Sequence, residues 1–145
     1  MHLERTVQHL LGEKGRDVWS VSSDTTVYEA LEYMAEKGIG AVVVIDDGNL
    51  SGIFSERDYA RKVVLMGRHS RDMKVAELMS TDVITAAMTD SVMTCMTVMS
   101  ERRFRHLPVV EDGDVVGVVS IGDVVRNVIE EQRYLIDQLQ QYITS

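Results

Sequence analysis

The chain has 145 residues, 45% of them apolar, and its 15 basic and 23 acidic side chains give a net charge of −8. This length suits one ordinary domain or two very small ones. The excess of acidic residues argues against binding a nucleic-acid backbone as the main role. The single cysteine, Cys95, excludes an intrachain disulfide and fits a reducing compartment. No apolar run reaches the roughly 20 residues of a membrane span, and residues 1–5 lack the features of a signal peptide, so we expect a cytoplasmic protein.

The first predicted elements are a lead segment over 1–16 and then a strand, a helix, two strands and a second helix within 17–66. The opening strand covers the β-prone residues 18–21. The first helix begins at a capping box, residues 26–29, and ends at Gly38, and its apolar residues recur at helical spacing. Two apolar strands, 41–45 and 50–54, flank a tight turn, and the second of them leads straight into the second helix.

The same elements repeat after a linker with a short helix, residues 67–81. A shift of 65 positions aligns 17–63 with 82–128 without a gap and gives thirteen identical residues, whereas unrelated stretches of ordinary composition would give about three. The predicted strands of the second copy, within 82–128, are 83–86, 107–110 and 115–119. One such unit has little to cover its sheet, so we predict an α+β fold in which two βαββα repeats pack as a pseudo-twofold pair with clefts where they meet.

The last helix is predicted to begin at Ile121 and to run nearly to the end of the chain, with residues 129–145 extending beyond the repeat. Apolar residues follow one face of it at helical spacing, with Gln132 among them: Val125, Val128, Ile129, Leu135, Ile136, Leu139, Tyr142 and Ile143. One repeat cannot bury so long a stripe. We therefore expect part of it to contact another chain or to fold back over the domain.

Two strand-to-helix junctions, residues 52–58 and 117–123, fit the pattern Gly-h-h-Ser/Thr-x-x-Asp, where h is apolar. With the duplicated unit and the strand sequence His-Leu-Pro-Val-Val over 106–110, these motifs make the chain resemble a tandem pair of CBS domains, a Bateman module, over about 17–130. The resemblance implies a stand-alone signal-transduction module that binds AMP, ADP or ATP, S-adenosylmethionine or, less often, NAD in the two clefts. Family members commonly form disc-like homodimers through their helices.

The motif residues also suit a nucleotide on chemical grounds. One carboxylate can accept hydrogen bonds from both hydroxyls of a ribose. A hydroxyl in the first turn of a helix lies beside unpaired backbone N–H groups and the positive end of the helix dipole, where a phosphate binds well. The alternative is that Ser-x-x-Asp is an ordinary helix cap, and the serine can serve both roles.

The resemblance assigns the residues of each cleft individually. The cleft of Asp123 takes Ser120, Arg105 and His106 from its own repeat, and Lys14, Val18 and Trp19 from the opposite wall. The cleft of Asp58 takes Ser55, Arg57 and Ala41, with Ser80, Val83 and Ile84 opposite. Arg105 and His106 align with Gly40 and Ala41, so we expect the Asp123 cleft to be the stronger one for an anionic nucleotide. Trp19 either stacks on adenine or serves packing.

Other side chains give no sign of catalysis. The four histidines show no metal-ligand spacing, and no set of nucleophile, base and orienting group stands out, so we expect neither an enzyme nor a required metal. Cys95 and the neighbouring methionines are expected in the core. Two classes stay open: a regulatory nucleotide sensor that acts in trans on another protein, and a dimeric interaction or stress-response protein with vestigial clefts and no ligand.

Overall fold

The computed structural model describes residues 5–67 and 70–144 and has the predicted α+β class. A 3-10 turn at Ser70–Asp72 joins the two copies of the repeated unit. The helices and strands, in chain order, are α1 Val7–Lys14, β1 Ser20–Val21, α2 Val27–Lys37, β2 Ala41–Asp46, β3 Asn49–Ser55, α3 Glu56–Met66, α4 Val75–Leu78, α5 Val92–Arg102, β4 His106–Glu111, β5 Asp114–Ser120 and α6 Ile121–Thr144.

The described residues group into two compact units. The Asp58 unit comprises residues 18–84 and 112–115 without the two undescribed positions, and the Asp123 unit comprises 5–17, 85–111 and 116–144. Helix α1 precedes the first repeat but belongs to the Asp123 unit, and α4 precedes the second repeat but belongs to the Asp58 unit. Each unit therefore combines one repeat with a short helix that comes before the other repeat in the sequence.

The Asp58 unit contains a three-stranded sheet in the order β1-β2-β3. Strand β1 runs parallel to β2, and β2 and β3 form an antiparallel hairpin whose turn residues, Asp47 and Gly48, have φ angles of 50° and 79°. Such positive angles at both central residues match the right-handed twist of the strands. The sheet, α2 and α4 enclose a core whose fully buried members are Val27, Ala30, Met34, Val42, Val44, Phe54, Met73, Val75 and Leu78.

The predicted start and end of the first repeat's helix are confirmed. The Thr26 hydroxyl accepts a hydrogen bond from the backbone N–H of Glu29 at 3.1 Å, and Gly38 ends α2 with a φ angle of 68°. In the second repeat the shift of 65 places Arg103 at the position of Gly38, and Arg103 adopts the same left-handed backbone with φ 60°. A glycine would hold that conformation at lower cost.

The opening strands of both repeats are shorter than predicted. The strand expected over 18–21 contains two residues, and the one expected over 83–86 is reduced to a single parallel bridge between Ala86 and Val109. In each repeat a turn closed by a side chain follows at once. The hydroxyl of Thr25 accepts from the N–H of Ser22, and the carboxylate of Asp90 accepts from the N–H of Ala87. These local bonds compete with the sheet for the backbone donors.

The long C-terminal helix is confirmed, since α6 runs without a break through 24 residues. Near its start it packs against α1 and α5, and Val124 and Asn127 are buried there. Beyond this point Val128 is half-buried, whereas Val125 and the apolar side chains from Ile129 onward are exposed, and Leu139 keeps 62% of its surface accessible. None of the helices in the described part of the chain combines the length and the hydropathy of a membrane-spanning segment.

Gly52 and Gly117, the first residues of the two motifs, are positions where another segment comes very close. A Cβ on Gly52 would lie 2.5 Å from the carbonyl oxygen of Ser80, which exchanges two backbone hydrogen bonds with Ile53. A Cβ on Gly117 would lie 2.7 Å from a methyl group of Leu11 in α1. The motif glycines thus admit the segments that complete each unit.

We predict that Gly52→Ala lowers the free energy of unfolding by about 1–3 kcal/mol, because the added methyl group meets backbone. Gly117→Ala should cost less, since the Leu11 side chain can rotate. Gly12→Ala in α1 is the control: its Cβ meets nothing within 4 Å, and the change should stabilise the protein by about 0.5–1 kcal/mol. Urea unfolding measures all three. A Gly52→Ala protein as stable as the wild type would contradict the close approach.

Candidate functional site

Both motif serines stand where a strand runs into a helix. Ser55 ends β3 and caps α3, and Ser120 ends β5 immediately before α6. Each hydroxyl accepts a hydrogen bond at 3.1 Å from the backbone N–H of the aspartate three residues on. The capping role considered for the Ser-x-x-Asp pairs is therefore present in both copies.

The first residue of each of these helices is tied to the start of the neighbouring hairpin. The backbone N–H of Ile121 donates to the carbonyl of Arg105 at 2.8 Å, and that of Glu56 donates to the carbonyl of Gly40 at 3.0 Å. Ala41 is the register partner of Ser55. Arg105 and His106 are consequently held beside the N-terminus of α6; that they line a ligand cleft stays a prediction.

The Asp123 carboxylate is 8% exposed and takes donors from three elements. Its Oδ2 accepts from Nζ of Lys14 at 2.5 Å and from the backbone N–H of Ser120 at 2.9 Å, and its Oδ1 accepts from Arg126 at 2.7 Å. Burial raises the pKa of this carboxyl group, but the hydrogen bonds from Lys14 and Ser120 and the charge of Lys14 together lower it by more, so that the pKa of Asp123 lies below its ordinary value. The group is a firmly ionised acceptor.

His106 lies in the electrostatic field of the same cluster. Burial lowers the pKa of this half-buried imidazole; the positive charges of Lys14 and Arg105 lower it further, while Asp123 acts in the opposite direction. His106 is therefore a neutral imidazole at pH 7. Five predicted residues of the Asp123 cleft thus belong to one unit: Lys14, Arg105, His106, Ser120 and Asp123.

A cavity of about 200 Å³ opens beside Asp123 and Lys14 between α1 and α6. Beyond those two residues it is lined by Leu10, Glu13, Arg126, Asn127 and Glu130. Sequence reasoning missed all five as site residues. Arg126 could have been found, because it matches Arg61 in the repeat alignment and stands one helical turn after Asp123. The others line the cavity only because α1 packs against α6, which no local pattern reveals.

The Asp58 site is built on the same frame with fewer charges. The Ser55 hydroxyl donates to the carboxylate of half-buried Asp58 at 3.0 Å, and in the described part of the chain no cation forms an ion pair with Asp58. Met79 stands where the shift of 65 positions places Lys14. The other predicted members are all in the Asp58 unit: Ala41, Arg57, Ser80, Val83 and Ile84.

Trp19 is engaged in packing. Its ring meets Tyr33 edge-on with 6.4 Å between centroids, and Nζ of Lys37 lies 4.4 Å from the centroid of the indole. The structure thus supports the packing alternative for Trp19. Val18 and Trp19 are part of the Asp58 unit, and their assignment to the Asp123 cleft stays a prediction.

Metal and thiol chemistry find no support in the described residues. No group of three or more histidine, cysteine or acidic side chains among them could hold a metal ion. Cys95 is 2% exposed, and burial, followed by the charge of Asp90, raises the pKa of its thiol to about 11. This thiol is a buried apolar group, as predicted.

Comparison with known proteins identifies close relatives. A family model described as CBS domain matches residues 15–65 and 75–130. A mitochondrial CBS domain-containing protein of Arabidopsis thaliana, CBSX3, is 38% identical over 148 residues, which cover 95% of this chain and 71% of that protein. A structure from Burkholderia ambifaria MC40-6, described as a signal-transduction protein with CBS domains, is 45% identical, with a TM-score of 0.83 over 88% of this chain and 96% of its own.

The fold is also shared with a more distant structure. The CBS domain pair of protein MJ0100, solved in complex with 5′-methylthioadenosine and S-adenosyl-L-methionine, is 24% identical. Its TM-score is 0.79 over 89% of this chain and 99% of that chain.

We predict that Asp123→Asn lowers the free energy of unfolding at pH 7 by about 1 kcal/mol, because it removes the negative charge of a buried side chain that pairs with two solvent-accessible cations. Asp58→Asn, which breaks no ion pair among the described residues, should cost at most half as much. The pKa of Asp123 is lower in the folded state than its ordinary value of 3.8. The carboxylate therefore contributes its full stabilisation above pH 3.8, and this stabilisation is lost as the pH falls through the pKa of the folded state. Urea unfolding at pH 7 and in the acid range measures the difference, and equal losses for both variants at pH 7 would contradict it.

Proposed function

The chain belongs to the CBS domain family, and from this premise we propose that it is a regulatory module that binds an adenosine-containing ligand and signals in trans to another protein. Its two CBS repeats and its likeness to a CBS protein described as signal-transducing support a regulatory role. The observation that carries the proposal is the ionised, buried Asp123 at the N-terminus of α6, surrounded by basic side chains.

This arrangement suits a ribose with an attached phosphate. The carboxylate is an acceptor for the two ribose hydroxyls, and charge-assisted hydrogen bonds of this kind are about twice as strong as neutral ones. The first turn of the 24-residue helix α6 presents backbone N–H groups and the positive end of the helix dipole. Arg105 and Lys14 add positive charge beside it. We propose binding roles here for Asp123, Ser120, Arg105, His106 and Lys14. The assignment of Val18 and Trp19 to this cleft stays a prediction from the resemblance.

The two sites are proposed to differ in ligand preference. The Asp58 site, with Ser55, Arg57, Ala41, Ser80, Val83 and Ile84, has Met79 and Gly40 where the Asp123 unit has Lys14 and Arg105. A phosphate gains less charge there, so AMP, ADP and ATP should bind the Asp123 site more tightly, while ligands with less phosphate charge suit the Asp58 site. Protein MJ0100, which shares the fold, holds two adenosyl ligands without phosphate in its own structure.

We further propose that the module is not an enzyme and needs no metal for this role. Asp58 and Asp123, the aspartates of the two motifs, belong to different units, each with its own serine cap. A ligand acts on a regulated partner only if it binds one arrangement of the module better than another. The alternative function, a dimeric interaction or stress protein, needs no ligand at all.

The exposed face of α6 supports a homodimer. Val125, Ile129, Gln132, Ile136, Leu139 and Ile143 are spaced by four and three residues in turn. This spacing places them on one face in the way that coiled coils require. Leu139 and Ile143 are 62% and 80% exposed in the single chain, so a second copy would bury a large apolar area. The same face is available in either functional class.

We predict that Asp123→Ala weakens AMP binding at least tenfold and that Asp58→Ala weakens it less, because only the Asp123 site gathers Lys14 and Arg105 around the anion. Calorimetric titration of both variants and the wild type with AMP, ADP, ATP, NAD and S-adenosylmethionine measures this. Equal losses from the two variants would contradict the ranking of the sites. Absence of binding by the wild type to every ligand would favour the interaction protein.

We predict that Leu139→Glu converts a dimer into a monomer, because it puts a charge within the most exposed part of the apolar stripe. Gln141→Glu adds the same charge on the opposite face of α6 and should leave the dimer intact. Light scattering coupled to gel filtration gives the mass of each species, and circular dichroism verifies that α6 stays helical. A monomeric wild type, or a dimer that survives Leu139→Glu, would contradict this interface.

A further inference from the structure

The ammonium group of Lys14 contacts both the motif carboxylate of Asp123 and the backbone of β5. It donates to Oδ2 of Asp123 at 2.5 Å and to the backbone carbonyl of Val118 at 2.6 Å. Lys14 is the last residue of α1 and lies 109 positions before Asp123 in the sequence. The Lys14 side chain, which comes from α1, thus links the Asp123 carboxylate to strand β5, which precedes it in the chain.

Each oxygen of the Asp123 carboxylate has a charged partner. Lys14 and the N–H of Ser120 occupy Oδ2, and Arg126 occupies Oδ1. A carboxylate has about four acceptor sites, and three of them are taken, so a ribose that donates two hydroxyls must displace one partner. The N–H of Ser120 is fixed in the backbone, which leaves Lys14 or Arg126 to be displaced. The Lys14 side chain is 39% exposed and that of Arg126 is 69% exposed, so both can turn toward solvent or toward a ligand.

Comparison of the two repeats singles out Lys14 of these two cations. The shift of 65 positions matches Arg126 with Arg61, an identical residue, but matches Lys14 with Met79. Met79 packs against the core of the Asp58 unit, with its sulfur 3.1 Å from the position of a Cβ on Gly52. The carboxylate of Asp58 accordingly has Ser55 as its side-chain partner and no ion pair among the described residues.

We propose that Lys14 is the internal counter-ion of Asp123 and that it determines the ligand specificity of this site by competing with the ribose. A ligand that carries a phosphate gives the displaced ammonium a new anionic partner, so the exchange conserves one charged contact. Adenosine offers no such partner, and the sulfonium of S-adenosylmethionine adds a positive charge. The site therefore selects for phosphate, whereas the Asp58 site has no such requirement. This inference depends on the proposed binding of a ribose by Asp123.

The test compares adenosine with AMP, which differ only in the phosphate. All titrations use the Asp58→Ala background, so that the heat comes from the Asp123 site. Lys14→Met introduces the residue found at this position in the other repeat, and Lys14→Gln keeps a hydrogen-bond donor without the charge. Arg16→Met is the matched control, since Arg16 is exposed, carries the same charge and lies two residues further along.

We expect both Lys14 variants to bind adenosine about tenfold more tightly than the parent and AMP no more tightly, while Arg16→Met changes neither affinity by more than about twofold. Unchanged adenosine affinity with weaker AMP binding would reduce Lys14 to a simple phosphate contact and overturn the competition. If the Lys14 variants bind both ligands equally less tightly, Lys14 has a structural role, and this result would also overturn the competition.

Failure of the proposed function has a different result. In that case the parent and all variants bind neither AMP nor adenosine, although urea unfolding shows that they are folded. Lys14→Gln retains a donor to the Val118 carbonyl, so it keeps the experiment decisive if Lys14→Met does not fold.

Discussion

A carboxylate that is buried away from water stays ionised only if cations or hydrogen-bond donors surround it. In the Asp123 unit this requirement brings three elements together around Asp123. Its donors come from the end of β5, from the first turns of α6 and from the C-terminus of α1. The ion pair with Lys14 helps to hold α1 against a repeat that lies far from it in the sequence. In the proposed binding mode, the same contact makes the carboxylate available only to a ligand that can replace a cation.

The internal duplication separates scaffold from chemistry. Positions that are identical across the shift of 65 residues build the frame: the glycine admits a neighbouring segment, the serine caps the helix, and the aspartate follows in its first turn. Positions that differ, such as Lys14 against Met79 and Arg105 against Gly40, set the local charge. Two sites with the same backbone geometry thus have different electrostatics without a change of fold, which is the basis of the proposed difference in ligand preference.

Sequence reasoning predicted the features that depend on local chemistry. The hairpin turn at Asp47 and Gly48, the cap at Thr26, the end of α2 at Gly38 and the long helix α6 all follow from residues close to one another in the chain.

The lengths of the opening strands were not predicted, because the turn closed by Asp90 competes with strand pairing. Nor was the placement of α1 and α4, since the contact between Leu11 and Gly117 joins segments that no periodicity connects. For the same reason Asn127 and Glu130 were not expected to line the cavity.

The sole tryptophan and the sole cysteine of the chain lie in different units. Trp19 is packed with Tyr33 and Lys37 in the Asp58 unit, so its fluorescence reports on the integrity of that unit. Cys95 is buried in the Asp123 unit, and its thiol reacts with a labelling reagent only when that unit opens. The protein therefore carries two intrinsic and independent probes, whose rates, followed together during unfolding, distinguish a cooperative module from two units that open separately.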